Sequence, residues 1–184
     1  MATILTISGS PSAVSRTQGV LNHVGARLGD AGHTVSSVAV RDLPPAPLLA
    51  GEAADPAIRS VVEAIGAADA VVVATPIYKA AYTGLLKSML DLLPQYAFAG
   101  KSVLPLATGG TTAHVLAIDY ALRPVLMSLG AAHVSAGYFL LDQVLTWTDT
   151  GELVIEAAAA EALLRVVDGF SWSLSGEPSL APAT

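Results

Sequence analysis

Short apolar runs alternate along this chain with stretches whose apolar positions recur every three or four residues, and that alternation predicts the elements. Ile4 to Ile7 reads as a first strand. Val20, Leu21, Val24 and Leu28 then share one face of a helix that Gly32 closes. Thr34 to Val40 is β-rich and gives a second strand. Asp55 and Pro56 supply an N-cap and a first-turn proline for a helix whose Ile58, Val61, Val62 and Ile65 fall on one face. Ala70 to Ala74, uncharged between Asp69 and Pro76, has the composition of a parallel strand buried on both faces. Leu85, Met89 and Leu92 carry the next helix, which Pro94 ends.

Prolines complicate the second half. Lys101 to Ala107 reads as a fourth strand although Pro105 lacks a ladder donor, because Val103, Leu104 and Leu106 surround it. The helix carrying Ile118, Leu122, Val125, Leu126 and Leu129 contains Pro124, which removes the bond to the Tyr120 carbonyl and predicts a kink or widened turn. Val134 to Leu141 is a fifth strand, and Glu156 to Trp172 a closing helix with Leu163, Leu164, Val167 and Phe170 inward. The stretch from Arg41 to Pro56, with Asp42-Leu43-Pro44-Pro45-Ala46-Pro47 in it, is expected to be non-helical and to wrap the surface. Ser173 to Thr184 is expected to be a loose, flexible tail, leaving a single domain over 1–172. Five strands alternating with helices make an α/β doubly wound parallel sheet with helices on both faces.

Composition narrows the classes. A chain of 184 residues, 53% apolar and 13% charged, builds a sizeable core. No run approaches the roughly 18 apolar residues of a membrane helix, and the first residues lack the features of a signal peptide, so a cytoplasmic protein without a membrane is expected. A net charge of −6 argues against nucleic acid. With no cysteine, and with His23, His33, His114 and His133 scattered, metal and thiol chemistry are disfavoured. Redox chemistry would need an organic cofactor.

Candidate chemistry collects in the loops after strands one, three and four, where open α/β sheets place ligands. The first loop has only Gly9, so it matches neither the dinucleotide fingerprint nor a P-loop. It carries instead Ser8, Ser10, Ser12, Ser15 and Thr17 around Arg16. Hydroxyls and free amides at a helix N-terminus form a nest for a terminal phosphate, to which Arg16 adds charge. The plainer reading is a helix cap, which Ser15 alone would provide. Thr75-Pro76-Ile77-Tyr78-Lys79-Ala80-Ala81-Tyr82-Thr83-Gly84 follows the third strand, with two tyrosines against which a flat ring could lie; an ordinary βα turn is the alternative. Thr108-Gly109-Gly110-Thr111 brings backbone amides towards the same point, suited to the charge that a reduced flavin gains. A monophosphate nest fits FMN better than FAD.

The set as a whole resembles a known family. Ser8-Gly9-Ser10-Pro11 with Ser15-Arg16-Thr17, the Ala74–Gly84 stretch, Leu86-Lys87, Asp91-Leu92-Leu93-Pro94, Leu104–Thr111, Ala113-His114 and Asp119–Leu126 are similar to the NADPH-dependent FMN reductases of two-component alkanesulfonate monooxygenase systems. The resemblance runs from about Ile4 to Leu141 and implies a flavodoxin-like fold with strand order 2-1-3-4-5. It implies NADPH as hydride donor, FMN as a substrate that is released reduced to a partner monooxygenase of the sulfur-assimilation type, and a homotetramer or homodimer. It also implies that Tyr120 sits in a π-helix at a subunit interface near the flavin. Residues expected to hold the cofactors are Ser10, Ser15, Arg16, Thr17, Pro76, Ile77, Tyr78, Lys79, Thr108, Gly109, Gly110 and Thr111. Some relatives have Arg where this chain has Ser12, which would shift phosphate binding towards Arg16 and the hydroxyls.

Hydride passes between cofactors, so no catalytic acid or base is nominated. His114 reads better as a packed or capping residue than as a flavin contact. Lys79 and Lys87 are possible attractors for the extra phosphate of NADPH, with a solvated helix face as the plainer role for Lys87. The alternatives are a relative that keeps FMN and reduces quinones, azo compounds or metal oxyanions, and a non-enzymatic flavodoxin-like electron carrier. Lys79 at the rim argues against the carrier.

Overall fold

The computed structural model describes residues 1–175. In chain order its elements are β1 (Thr3–Ser8), α1 (Arg16–Asp30), β2 (Thr34–Ala39), α2 (Pro45–Ala50), α3 (Pro56–Ala67), β3 (Ala70–Tyr78), β4 (Ala81–Tyr82) and α4 (Gly84–Leu90). Then come β5 (Ser102–Gly109), α5 (Arg123–Ser128), β6 (His133–Val134), β7 (Tyr138–Leu141), β8 (Leu145–Trp147), β9 (Leu153–Ile155) and α6 (Ala157–Ser173). The main sheet runs β2-β1-β3-β5, with β6 and β7 end to end along the outer edge of β5, all parallel. With β6 and β7 counted as one broken strand, this is the flavodoxin-like order 2-1-3-4-5. The β8–β9 hairpin stands apart as a small second sheet.

Successive strand residues point to opposite faces and build two cores. Ile4, Val72, Leu104 and Leu106 meet Val20, Leu21, Val24 and Leu28 of α1 and Leu163, Val167 and Phe170 of α6. Leu5, Ile7, Val71, Val73 and Val103 meet α3, α4 and α5 through Ile58, Val61, Ile65, Leu86, Met89 and Leu126. Each such side chain contributes on the order of 1.5–3 kcal/mol by leaving water. As the Asp55-Pro56 pair predicts, α3 is capped: Asp55 Oδ1 accepts from the Ala57 amide at 2.8 Å, and Pro56 takes the first helical position.

Three expectations are corrected. The Arg41–Pro56 stretch is partly helical: Val40–Asp42 forms a 3-10 turn and Pro45–Ala50 a helix. Pro45 and Pro47 both lie in the first turn of α2, where amides have no intrahelical acceptor, so neither loses a bond. The fifth strand is broken at residues 135–137. A Cβ on Gly137 would lie 2.7 Å from both Ile118 Cγ2 and the Pro105 carbonyl oxygen, so the chain passes too close there for a ladder. Pro105 sits opposite that break. Val103, two residues before it, accepts from the Ser135 amide on that side, so the donor that Pro105 lacks would face the interruption. Finally, the closing helix continues to Ser173 rather than yielding there to a tail; the remainder of the expected tail, 176–184, lies outside the described residues.

Candidate active site

The carboxyl ends of β1, β3 and β5 meet in an open cleft of about 370 Å³. A buried network fixes its floor. The Gly9 amide donates to the Ala74 carbonyl at 2.8 Å, and a Cβ on Gly9 would stand 2.7 Å from Leu86 Cβ, so only glycine fits. Thr83 caps α4 by accepting from the Leu86 amide, and its hydroxyl donates to the Gly9 carbonyl at 2.6 Å. Its own amide donates to Thr75 Oγ1. The loops after β1 and β3 are therefore one rigid body. A second tie joins the ends of the cleft: the buried hydroxyls of Thr17 and Thr108 lie 2.7 Å apart.

At one end, Ser10, Ser12, Ser15, Arg16 and Thr17 line the cleft. Ser15 is the N-cap of α1 and accepts from the Gln18 amide at 3.1 Å, so its hydroxyl performs the capping role. Arg16 and Thr17 take the first two helical positions, whose amides have no acceptor inside a helix. Those amides and the positive end of α1 stand at the end of the cleft that the Arg16 side chain also lines. Arg16 Nε donates to the Leu145 carbonyl at 3.2 Å, which holds the side chain against β8.

At the other end β3 continues through Pro76, Ile77 and Tyr78 instead of turning after Ala74. Lys79 and Ala80 form the two-residue turn into β4, both with positive φ, 51° and 65°. Pro76, Ile77 and the half-exposed Tyr78 form one wall, and Thr108, Gly109 and Gly110 another. The two glycines differ in kind. A Cβ on Gly109 would stand 2.9 Å from Phe139 Cζ, so that glycine serves internal packing, whereas a Cβ on Gly110 would make only an ordinary contact, 3.8 Å from Asp142 Oδ2.

Of the residues expected to hold cofactor, Lys79 and Thr111 lie outside the cleft lining. Lys79 is spent on the turn, and Thr111 caps the 3-10 turn Thr112–His114 by accepting from the Ala113 amide. Tyr82 also stands away, packed on the core below α4, where burial raises its phenol above the ordinary value. Lys87 is paired with Asp91 on α4, and the hydrogen bond to that carboxylate raises its ammonium pKa. His114 lies off the cleft with Nδ1 buried and without a partner among the described residues. Tyr120 lies in a single π-helical turn, Ile118–Leu122, where the Arg123 amide reaches back to the Ile118 carbonyl. It is 79% exposed and does not line the cleft.

Asp142 and Trp147 also line the cleft and were not anticipated. Asp142 follows β7 directly, so the rule that picked out the other loops, applied to the fifth strand, would have found it. Trp147 arrives from the β8–β9 hairpin, beyond the parallel sheet, with no periodic signal to mark it. The cleft thus offers anion donors at one end, and flat apolar and aromatic walls with a carboxylate acceptor beside Gly110 at the other. That donor set fits a flavin with a terminal phosphate.

Comparison with known proteins agrees with that chemistry. The family model for NADPH-dependent FMN reductase matches residues 2–146. The chain is 45% identical over 139 residues to an FMN reductase (NADPH) of Escherichia coli (strain K12), covering 76% of this chain and 73% of that protein. It is 32% identical to the NADH-dependent FMN reductase SfnF of Pseudomonas putida, covering 91% and 90%. The apo crystal structure of the NADH:FMN oxidoreductase EMOB superimposes with a TM-score of 0.86 at 44% identity, covering 97% of this chain and 92% of that one. The chain belongs to the NADPH-dependent FMN reductase family: it is an oxidoreductase that uses FMN and NAD(P)H.

Proposed function

We propose that this family member takes FMN as an exchanging substrate, reduces it at the expense of NADPH and hands the reduced flavin to a monooxygenase. The observation that carries this reading is the two-ended cleft. The free amides of Arg16 and Thr17, the Ser10 hydroxyl and the Arg16 guanidinium take the phosphate. Pro76, Ile77 and Tyr78 lie along the ring, and Gly110 lets backbone approach it. Asp142 accepts from a flavin donor, and its charge keeps the phosphate at the far end. Lys79 and Thr111, off the cleft, flank it at the rim. When bound, FMN supplies a two-electron acceptor at N5 for hydride from the nicotinamide C4; a proton from water completes the change. Positioning is the protein's contribution, and no side chain is required as acid or base.

The protein is proposed to act in the cytoplasm as a homotetramer. Tyr120 at 79%, Leu116 at 58% and Val115 at 43% exposure leave apolar surface on and beside the π-helical turn, which the β3–β4 hairpin packs against. In this reading that surface is a subunit contact close to the flavin.

Purified protein tests the reading. A colourless preparation whose NADPH oxidation requires added FMN and saturates with it supports release. Yellow protein that turns over a quinone without added FMN points to the relative that retains its flavin. If added FMN neither binds nor supports NADPH oxidation, the proposal fails.

A further inference from the structure

Behind the hydroxyl loop, on the side away from the cleft, lies a second cavity of about 240 Å³. Ser10, Ser12 and Ser15 line both spaces, so the loop is a thin partition between them. The cavity wall adds Ser8 and Ser37 from β1 and β2, Gln18 from α1, and Arg41 with Asp42 from the 3-10 turn after β2. Ser8, Ser10 and Ser15 are buried, and Gln18 Oε1 is buried without a partner among the described residues. Arg41 reaches the loop itself: its Nη1 donates to the Ser12 carbonyl at 2.9 Å across a sequence separation of 29 residues.

We propose that Arg41 is the second cation of the phosphate end, gripping the hydroxyl loop from the cavity side and making the site selective for the phosphate monoester of the flavin. The inference rests on the FMN reading above and goes beyond it by assigning Arg41. Charge is the first argument. A phosphate monoester carries about −1.5 to −2 at neutral pH, while among the described residues the cleft lining offers one guanidinium, Arg16, set against one carboxylate, Asp142. Arg16 together with the partial charge of the α1 terminus leaves that dianion undercompensated. Arg41 adds a second guanidinium behind the loop, partly offset by its partner Asp42. Burial is the second argument. Only 33% of the Arg41 side chain is exposed, against 67% for Asp42, whose Oδ1 lies 3.3 Å from Arg41 Nε. The cation is the more desolvated partner, so its field reaches the loop less screened than that of the carboxylate. The third argument is mechanical. The bond to Ser12 holds the loop between Ser10 and Ser15, where the phosphate seats.

Flavin titrations with FMN and with riboflavin, which lacks the phosphate, test this on the full chain. Arg41→Gln is expected to weaken FMN binding by about tenfold or more while riboflavin binding stays unchanged, and Arg41→Lys to restore part of the loss. If Arg41→Gln weakens both flavins equally, or neither, Arg41 has no phosphate role and the proposal falls while the FMN reading stands. If the wild-type protein itself does not prefer FMN to riboflavin, the phosphate end is misassigned and the proposal falls with that part of the FMN reading.

Discussion

The Thr17–Thr108 hydroxyl pair is a small feature with a measurable signature. Both groups are buried, 2.7 Å apart, and bridge the start of α1 to the end of β5. Removing one hydroxyl orphans the other in a buried place, so Thr108→Val is expected to destabilise by about 1–3 kcal/mol. Removing both leaves two well-shaped apolar groups, so Thr17→Val/Thr108→Val is expected to lose clearly less than the sum of the single losses. Urea denaturation of the four proteins in the cycle measures the coupling; additive losses would mean that the pair contributes nothing specific. That residues 17 and 108 both line the cleft is readable from the sequence, because each falls in the stretch after a strand expected from the apolar pattern, on the ligand side of the sheet. That they touch each other is not, since the contact spans 91 positions and depends on how α1 lies over β5.

Elements show where local pattern suffices and where tertiary contact overrides it. The helical faces of α1, α3 and α6 follow from periodicity alone, because each must bury one stripe against the sheet. The extent of β3 does not. Pro76 looks like a strand terminator, yet the strand runs on to Tyr78 because Ile77 and Tyr78 pair with Tyr82 and Ala81. This hairpin turns through Lys79 and Ala80, neither of which is glycine, although an L-residue in the left-handed region costs about 1–2 kcal/mol. Glycine would recover that at an unfolded-state entropy cost of about 0.4–1 kcal/mol. Ala80→Gly is therefore expected to raise stability by up to about 1 kcal/mol, read as a higher urea midpoint at constant slope; an unchanged or lower midpoint would show that the turn is unstrained. The strained turn stands at the rim of the cleft, a common location for backbone held in sparse conformations. Trp147 marks the opposite limit of legibility, since the hairpin that delivers it has three-residue strands too short to show a period.

At the scale of the whole molecule, the parts are tied together at the surface as well as in the core. Arg27 of α1 and Asp168 of α6 form a bidentate pair, with Nε to Oδ1 at 2.8 Å and Nη2 to Oδ2 at 2.9 Å. The hydrogen bond from Arg27, with its charge, holds the Asp168 carboxyl below its ordinary value and raises the guanidinium. A carboxyl depressed on folding contributes stability above its unfolded pKa and loses it as pH falls through the folded one. The difference in urea midpoint between wild type and Asp168→Asn is thus expected to be full at neutral pH and to shrink below about pH 4, while staying small because the pair is half exposed. A difference that is flat across that range would remove the pair from the account. The broken fifth strand has a wider consequence. A parallel sheet ends in two rows of unsatisfied backbone groups with which a second copy could pair. Here one border is cut into pieces of two and four residues with a gap opposite Pro105, so an incoming strand finds no continuous template for amyloid-like growth on that side, and only the six-residue β2 edge is left unbroken.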